Sequence, residues 1–204
     1  MKKVFLVGIL TILCVSATFA QFRIGATAGL NVSNFTGDVE NNKFKAGFQA
    51  GVVGDYAITE SFSIMPELLF SQRGSKEKED GTTYSMTLNY LQLPINAAYK
   101  FDAGMGSKLF VFAGPYLGYG LSGKQSFKGK EDGVDVSASF DIEFGSKEDQ
   151  LKAFDFGLNL GVGYEYQKMF IKLQYNHGLT NLSNYDEGSF KNQNIAVSVG
   201  YFFN

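Results

Sequence analysis

The sequence predicts an all-β protein: eight antiparallel strands in up-and-down order, closed into a barrel that spans a membrane. Three observations carry this reading. Apolar residues alternate with small or polar ones at period 2 in eight separate stretches. The segments between them are alternately short and long along the whole chain. The polar rows hold charges of both signs at mid-strand, interleaved with glycine, as a narrow barrel interior requires.

The first stretch sets Phe22, Ile24, Ala26, Ala28, Leu30 and Val32 against Arg23, Gly25, Thr27, Gly29, Asn31 and Ser33. The second sets Phe44, Ala46, Phe48, Ala50, Val52 and Tyr56 against Lys45, Gly47, Gln49, Gly51 and Asp55. In the third, Phe62, Ile64, Pro66, Leu68 and Phe70 oppose Ser63, Met65, Glu67, Leu69, Ser71 and Arg73. In the fourth, Leu91, Leu93, Ile95, Ala97 and Tyr99 oppose Gln92, Pro94, Asn96, Ala98 and Lys100. The fifth places Leu109, Val111, Leu117, Tyr119 and Leu121 in one row, while Phe110, Phe112 and Tyr116 fall in the row with Gly114, Gly118 and Gly120. The sixth runs from Phe154 to Tyr166, its apolar row opposing Asp155, Gly157, Asn159, Gly161, Gly163 and Glu165. The seventh sets Met169, Ile171, Leu173, Tyr175 and Leu179 against Lys172, Gln174, Asn176 and Gly178. The last, NIAVSVGYFFN at 194–204, carries Ile195, Val197, Val199, Tyr201 and Phe203 in one row.

Joins near 57–61, 101–107 and 167–168 are short; those near 34–43, 74–83, 122–152 and 181–192 are longer and polar. Up-and-down order then gathers the short turns at one end and the long loops at the other. That asymmetry matches periplasmic turns and external loops. Tyrosine and phenylalanine crowd the ends of the apolar rows (Tyr56, Phe62, Tyr99, Tyr119, Phe154, Tyr164, Tyr166, Tyr175 and Tyr201), the composition of an interfacial girdle. The apolar row therefore faces lipid, the charged row faces the lumen, and the last strand closes on the first. Its aromatic end fits the signal read by the outer-membrane insertion machinery, although Asn204 departs from a terminal aromatic.

Residues 1–20 read as a secretory signal peptide: Lys2 and Lys3, an apolar run from Val4 to Val15, then Ala-Thr-Phe-Ala before a cut after Ala20. The barrel domain is then 21–204, in the outer membrane of a Gram-negative bacterium. Cys14, the only cysteine, leaves with the leader, so no disulfide is expected. Net charge is −2, and −4 once Lys2 and Lys3 are removed. Without clustered positive charge there is no expectation of a nucleic-acid partner.

The stretches FSIMPELLFSQRG at 62–74, YLQLPINAAYKF at 90–101, GPYLGYGLSGK at 114–124, FDFGLNLGVGYEY at 154–166 and GLTNLS at 178–183 resemble the PorT-like outer-membrane barrel family, found mainly in Bacteroidota. The resemblance runs through essentially the whole mature chain and implies the barrel fold. The family's named member is tied to assembly of a secretion and gliding apparatus. No functional residues come with the likeness.

Catalytic and metal chemistry find little foothold. The single histidine, His177, sits in the apolar phase near the outer rim, with Asp186 and Glu187 in the following loop. A nucleophile's base would need a carboxylate behind it; an interfacial rim histidine is the plainer reading. The long loop collects Asp132, Asp135, Asp141, Glu143, Glu148 and Asp149, but their spacing matches no calcium loop. Within it, Val134, Val136, Ala138, Phe140, Ile142 and Phe144 alternate with Asp135, Ser137, Ser139, Asp141 and Glu143, which reads as a strand projecting beyond the membrane with an exposed edge. No catalytic, cofactor or metal residue is assigned, and no cofactor is expected. The leading expectation is a non-enzymatic outer-membrane barrel meeting a protein partner or the surroundings through the 122–152 loop. A narrow pore for water or small solutes is the alternative, and an exported soluble ligand-binding barrel the second.

Overall fold

The structure is a computed structural model. It describes residues 21–38, 42–79, 82–131, 134–147, 150–184 and 188–204. The signal peptide expected at 1–20 lies outside them, as do Asp132, Glu148, Asp149, Asp186 and Glu187.

Nine strands follow one another: β1 Phe22–Gly37, β2 Lys43–Ala57, β3 Phe62–Glu79, β4 Thr82–Gly104, β5 Ser107–Glu131, β6 Val134–Ile142, β7 Phe154–Tyr166, β8 Met169–Gly178 and β9 Phe190–Phe202. Eight of them close the barrel in chain order. β1 pairs with β9 from Gly25↔Phe202 to Gly37↔Phe190, and β5 pairs with both β4 and β7, so the ring has no free edge in its lower half. The ninth, β6, is the projecting strand that the alternation at 134–142 announced. It pairs only with the upper half of β5.

The faces fall as the period-2 pattern requires. Leu30, Leu68, Ile95, Val111, Leu160, Leu173, Val197 and their row-mates are exposed on the outside. Thr27, Gln49, Glu67, Gln92, Asn159, Lys172 and Ser198 are buried inside. Tyr99, Phe101, Tyr164, Tyr166, Tyr201 and Phe203 ring the end with the short turns. Tyr119, Phe154 and Phe156 ring the other. Tyr164 and Phe154 are ten residues apart on β7, about 26 Å along the barrel axis for strands tilted near 40°. That is the height of a membrane band.

Two expectations about connections need correction. The join near 74–83 is not a long loop: β3 runs to Glu79 and β4 resumes at Thr82, paired to the last residue. Most of 122–152 is likewise strand, the upper part of β5 and all of β6. Hydrogen-bonded ladders absorb the polar residues that had suggested loops. The short turns hold. Residues 104–106 turn with Gly104, Met105 and Gly106 all at positive φ, and the 167–168 turn has Gln167 at φ 55°.

Asn204 has a structural role that the alternation did not reveal. Its side-chain amide donates to the Phe22 carbonyl (2.9 Å) and its carbonyl accepts from the Ile24 amide (3.0 Å), adding one rung to the β1–β9 seam.

Candidate functional site

Two places hold the chemistry of this molecule: the lumen, and the sheet that rises above it.

Charged side chains from facing strands meet inside the lumen. Near the short-turn end, Arg23 of β1 donates to Asp55 of β2 (Nε, 3.1 Å) and to Glu165 of β7 (2.6 and 3.0 Å). Lys100 of β4 joins the same Asp55 at 2.5 Å. Arg23 also lies 4.1 Å over the Phe202 ring. At mid-barrel, Lys172 of β8 pairs with Glu67 of β3, which also accepts from Asn96. Higher up, Asp155 Oδ2 accepts from Tyr116 (3.1 Å) and Asn192 (2.9 Å), with Arg73 3.7 Å away. Arg73 in turn donates to Gln92 at 2.6 Å. Eight of the nine charges in the polar rows therefore pair inside the lumen. The ninth, Lys45, instead donates to the Met86 carbonyl and the Thr87 hydroxyl.

Aromatic rings fill what the charges leave. Phe110, Phe112 and Tyr116, out of place in the apolar–polar alternation, point inward, each directly opposite a glycine of β7: Gly163, Gly161 and Gly157. Phe170 faces Gly200 of β9 in the same way. A Cβ at Gly163 would sit 2.1 Å from Phe110 Cζ, so the ring occupies the room that the missing side chain leaves. With Val53, Met65, Ala98 and Phe202, the rings of Phe110, Phe112 and Phe170 form an apolar plug across the barrel. Gln49, Gln92, Asn176, Asn194 and Arg73 are each 2% exposed or less. Among the described residues, both amide atoms of Asn31, Asn159 and Asn194 have no hydrogen-bond partner.

A lid covers the far mouth. Phe35, Leu88, Tyr90 and Leu182 pack with Ile142, Phe144, Leu151 and Phe190. Phe35 meets Phe190 edge-on at 5.2 Å, and Tyr90 meets Phe144 at 5.7 Å. Asn184 pins the turn after β6 by donating to the carbonyls of Gly145, Lys147 and Gln150.

Above the mouth, the ends of β3, β4 and β5 continue upward with β6 as a flap. A bulge at Leu121 shapes it: Asn89 pairs with Ser122 but Tyr90 with Gly120, leaving Leu121 over. Above the bulge, β5 has changed phase. Gly123, Gln125 and Phe127 now face inward, and Ser122, Lys124, Ser126 and Lys128 outward. The inner face of the flap is mostly apolar, with Tyr84, Met86, Phe127, Ala138, Phe140 and Val136 aligned by register and Gln125 and Glu77 among them. Phe140 is 63% exposed and stacks on Phe127 at 6.4 Å.

His177 lies on the outside wall beside Tyr175, whose hydroxyl is 3.4 Å from Nδ1. Among the described residues no bond joins it to a carboxylate. No cluster of three metal-ligating side chains occurs among them either. Asp141 and Glu143 lie on the flap, and Glu143 accepts from Gln150.

A family model, the outer membrane protein beta-barrel domain, matches residues 19–184. The chain belongs to this family. It is an outer-membrane β-barrel protein of the Gram-negative outer membrane. No curated protein matches it. Among solved structures it is similar to OprG from Pseudomonas aeruginosa at 11% identity, covering 90% of this chain and 96% of that one, TM-score 0.49. It is similar to Neisserial surface protein A at 14%, covering 90% and 97%, TM-score 0.46. It is also similar to Ail, the attachment invasion locus protein of Yersinia pestis, at 16%, covering 90% and 99%, TM-score 0.44.

Proposed function

We propose that the chain is a non-enzymatic, non-conducting barrel, residues 21–204 forming one domain behind a cleaved leader, that displays its flap to a protein partner at the cell surface. The motifs at 62–74, 90–101 and 114–124 support placing it in the PorT-like, Bacteroidota-type branch of its family. The observation that carries the contact role is the flap's inner face. Phe140, Tyr84 and Val136 are exposed there, and β6 has no strand on its outer edge among the described residues. Apolar side chains held beside an open backbone edge are what strand addition uses. Ion pairs and an aromatic plug from opposite walls support a closed lumen.

A photo-reactive residue at Phe140, cross-linked in cells and read by mass spectrometry of outer-membrane extracts, is expected to capture one protein reproducibly. Capture of lipid and self-contacts alone would count against the contact role. The narrow-pore reading has one specific support. The unpaired amides of Asn31, Asn159 and Asn194 would each gain a partner from water threading the barrel.

A further inference from the structure

The outward face of the flap is unlike everything beneath it. Register aligns three rows across it: Gly74, Thr87, Lys124 and Asp141; then Lys76, Ser85, Ser126 and Ser139; then Lys78, Thr83, Lys128 and Ser137. These three rows hold four ammonium groups, six hydroxyls and a single carboxylate, with no aliphatic side chain among them. Lys45 adds a fifth ammonium, reaching across side-chain-free Gly74 to the Thr87 hydroxyl. Among the described residues Lys76, Lys78, Lys124 and Lys128 form no ion pair. The hydroxyls line up between the lysines, and Thr87, Lys124, Ser126, Lys128, Ser137 and Ser139, with Phe127 and Ala138, line a shallow pocket of 330 Å³.

This face stands directly above lipid. On β5 the outward row runs Leu117, Tyr119, Leu121, then, past the bulge, Ser122, Lys124, Ser126 and Lys128. On β3 it runs Leu68, Phe70, Gln72, then Lys76 and Lys78. The switch from apolar to cationic comes within a few residues, about 10 Å of strand. A molecule with acyl chains against Tyr119 and Leu121 has its headgroup at the lysines. Lys78 and Lys128 are separated by one strand, about 10 Å, with the Thr83 hydroxyl between them. That spacing suits phosphate oxygens taking two ammonium groups and a hydroxyl together.

We propose that this face is a docking site for the phosphate groups of an anionic lipid of the outer leaflet. It needs no protein partner, so its fate is separate from that of the flap's inner face.

The test uses the full barrel in phosphatidylcholine nanodiscs containing bisphosphorylated lipid A, with native mass spectrometry reading the lipid retained on release. The wild-type protein is expected to keep one lipid A and to lose it when lipid A is dephosphorylated. Lys124→Gln with Lys128→Gln is expected to weaken retention on the order of twentyfold, about fivefold for each basic group near a charged membrane surface. Adding Lys76→Gln and Lys78→Gln should abolish it. The matching Lys→Arg set keeps the charge and should keep the lipid, which separates loss of binding from loss of folding. Equal retention of the dephosphorylated lipid, or undiminished retention by the fourfold Gln variant, would overturn the proposal. So would capture of soluble pyrophosphate in place of the lipid.

Discussion

At the scale of single residues, the lumen is decided by what each buried charge and ring has opposite it. Asp155 is 1% exposed and takes Tyr116, Asn192 and Arg73 on one oxygen. Arg73→Met strands that carboxylate in a dry interior, and the unfolding free energy of the refolded barrel in urea should fall by about 3–5 kcal/mol. Adding Asp155→Asn removes the stranded charge, and much of the loss should return. A double variant no better than the single one would mean that Arg73 acts by packing alone. Gly163 poses the complementary case. Gly163→Val drives a methyl group into Phe110, with an expected cost of about 1–3 kcal/mol. Phe110→Ala in the same chain should relieve part of it, and a double-mutant cycle measures the coupling. Additive losses would show that ring and glycine do not share one space. The pairing of inward aromatic with opposed glycine was half legible in the sequence. Phe110, Phe112 and Tyr116 stood out as misplaced, but only the β5–β7 register shows which glycines receive them.

At the scale of elements, the eight barrel strands and their facing were readable because lipid and lumen impose opposite polarity on successive residues. β6 was readable for the same reason. What hid was the one-residue bulge at Leu121. Period 2 carries no mark of an extra residue, yet the slip exchanges every side chain of upper β5 between the two faces. Lys124 and Lys128 are outward, and Phe127 inward, only because of it. Deleting Leu121 should therefore remove only the extra residue, leaving a regular ladder in which Phe127 stays inward and the lysines stay outward. Single-cysteine labelling with a membrane-impermeant reagent at position 127, in a chain whose own Cys14 is replaced, would read this. Altered labelling after the deletion would mean that Leu121 is not the residue that sets the phase of upper β5. The lid was not legible either. Phe35 comes from the end of β1 and Phe144 and Leu182 from two separate connections, and their meeting over the mouth follows from ring closure, which local pattern does not contain. The candidate site shared this limit: the lumen charges were visible residue by residue, whereas the cationic face exists only through the alignment of β3, β4, β5 and β6.

At the scale of the whole molecule, three barriers lie in series along the barrel axis. An ionic cluster of Arg23, Asp55, Lys100 and Glu165 sits near the short turns. The aromatic plug follows, and the lid closes the far mouth. A barrel closed this thoroughly leaves its outer parts as the place to act, which is why the proposed contact role falls to the flap. The most direct test of that account is conductance of the purified, refolded protein in a planar lipid bilayer. The account predicts no steady current above the bare membrane, from acidic to neutral pH. A reproducible ohmic step from the wild-type barrel would contradict it, and would make the unpaired asparagines of the lumen the lining of a path.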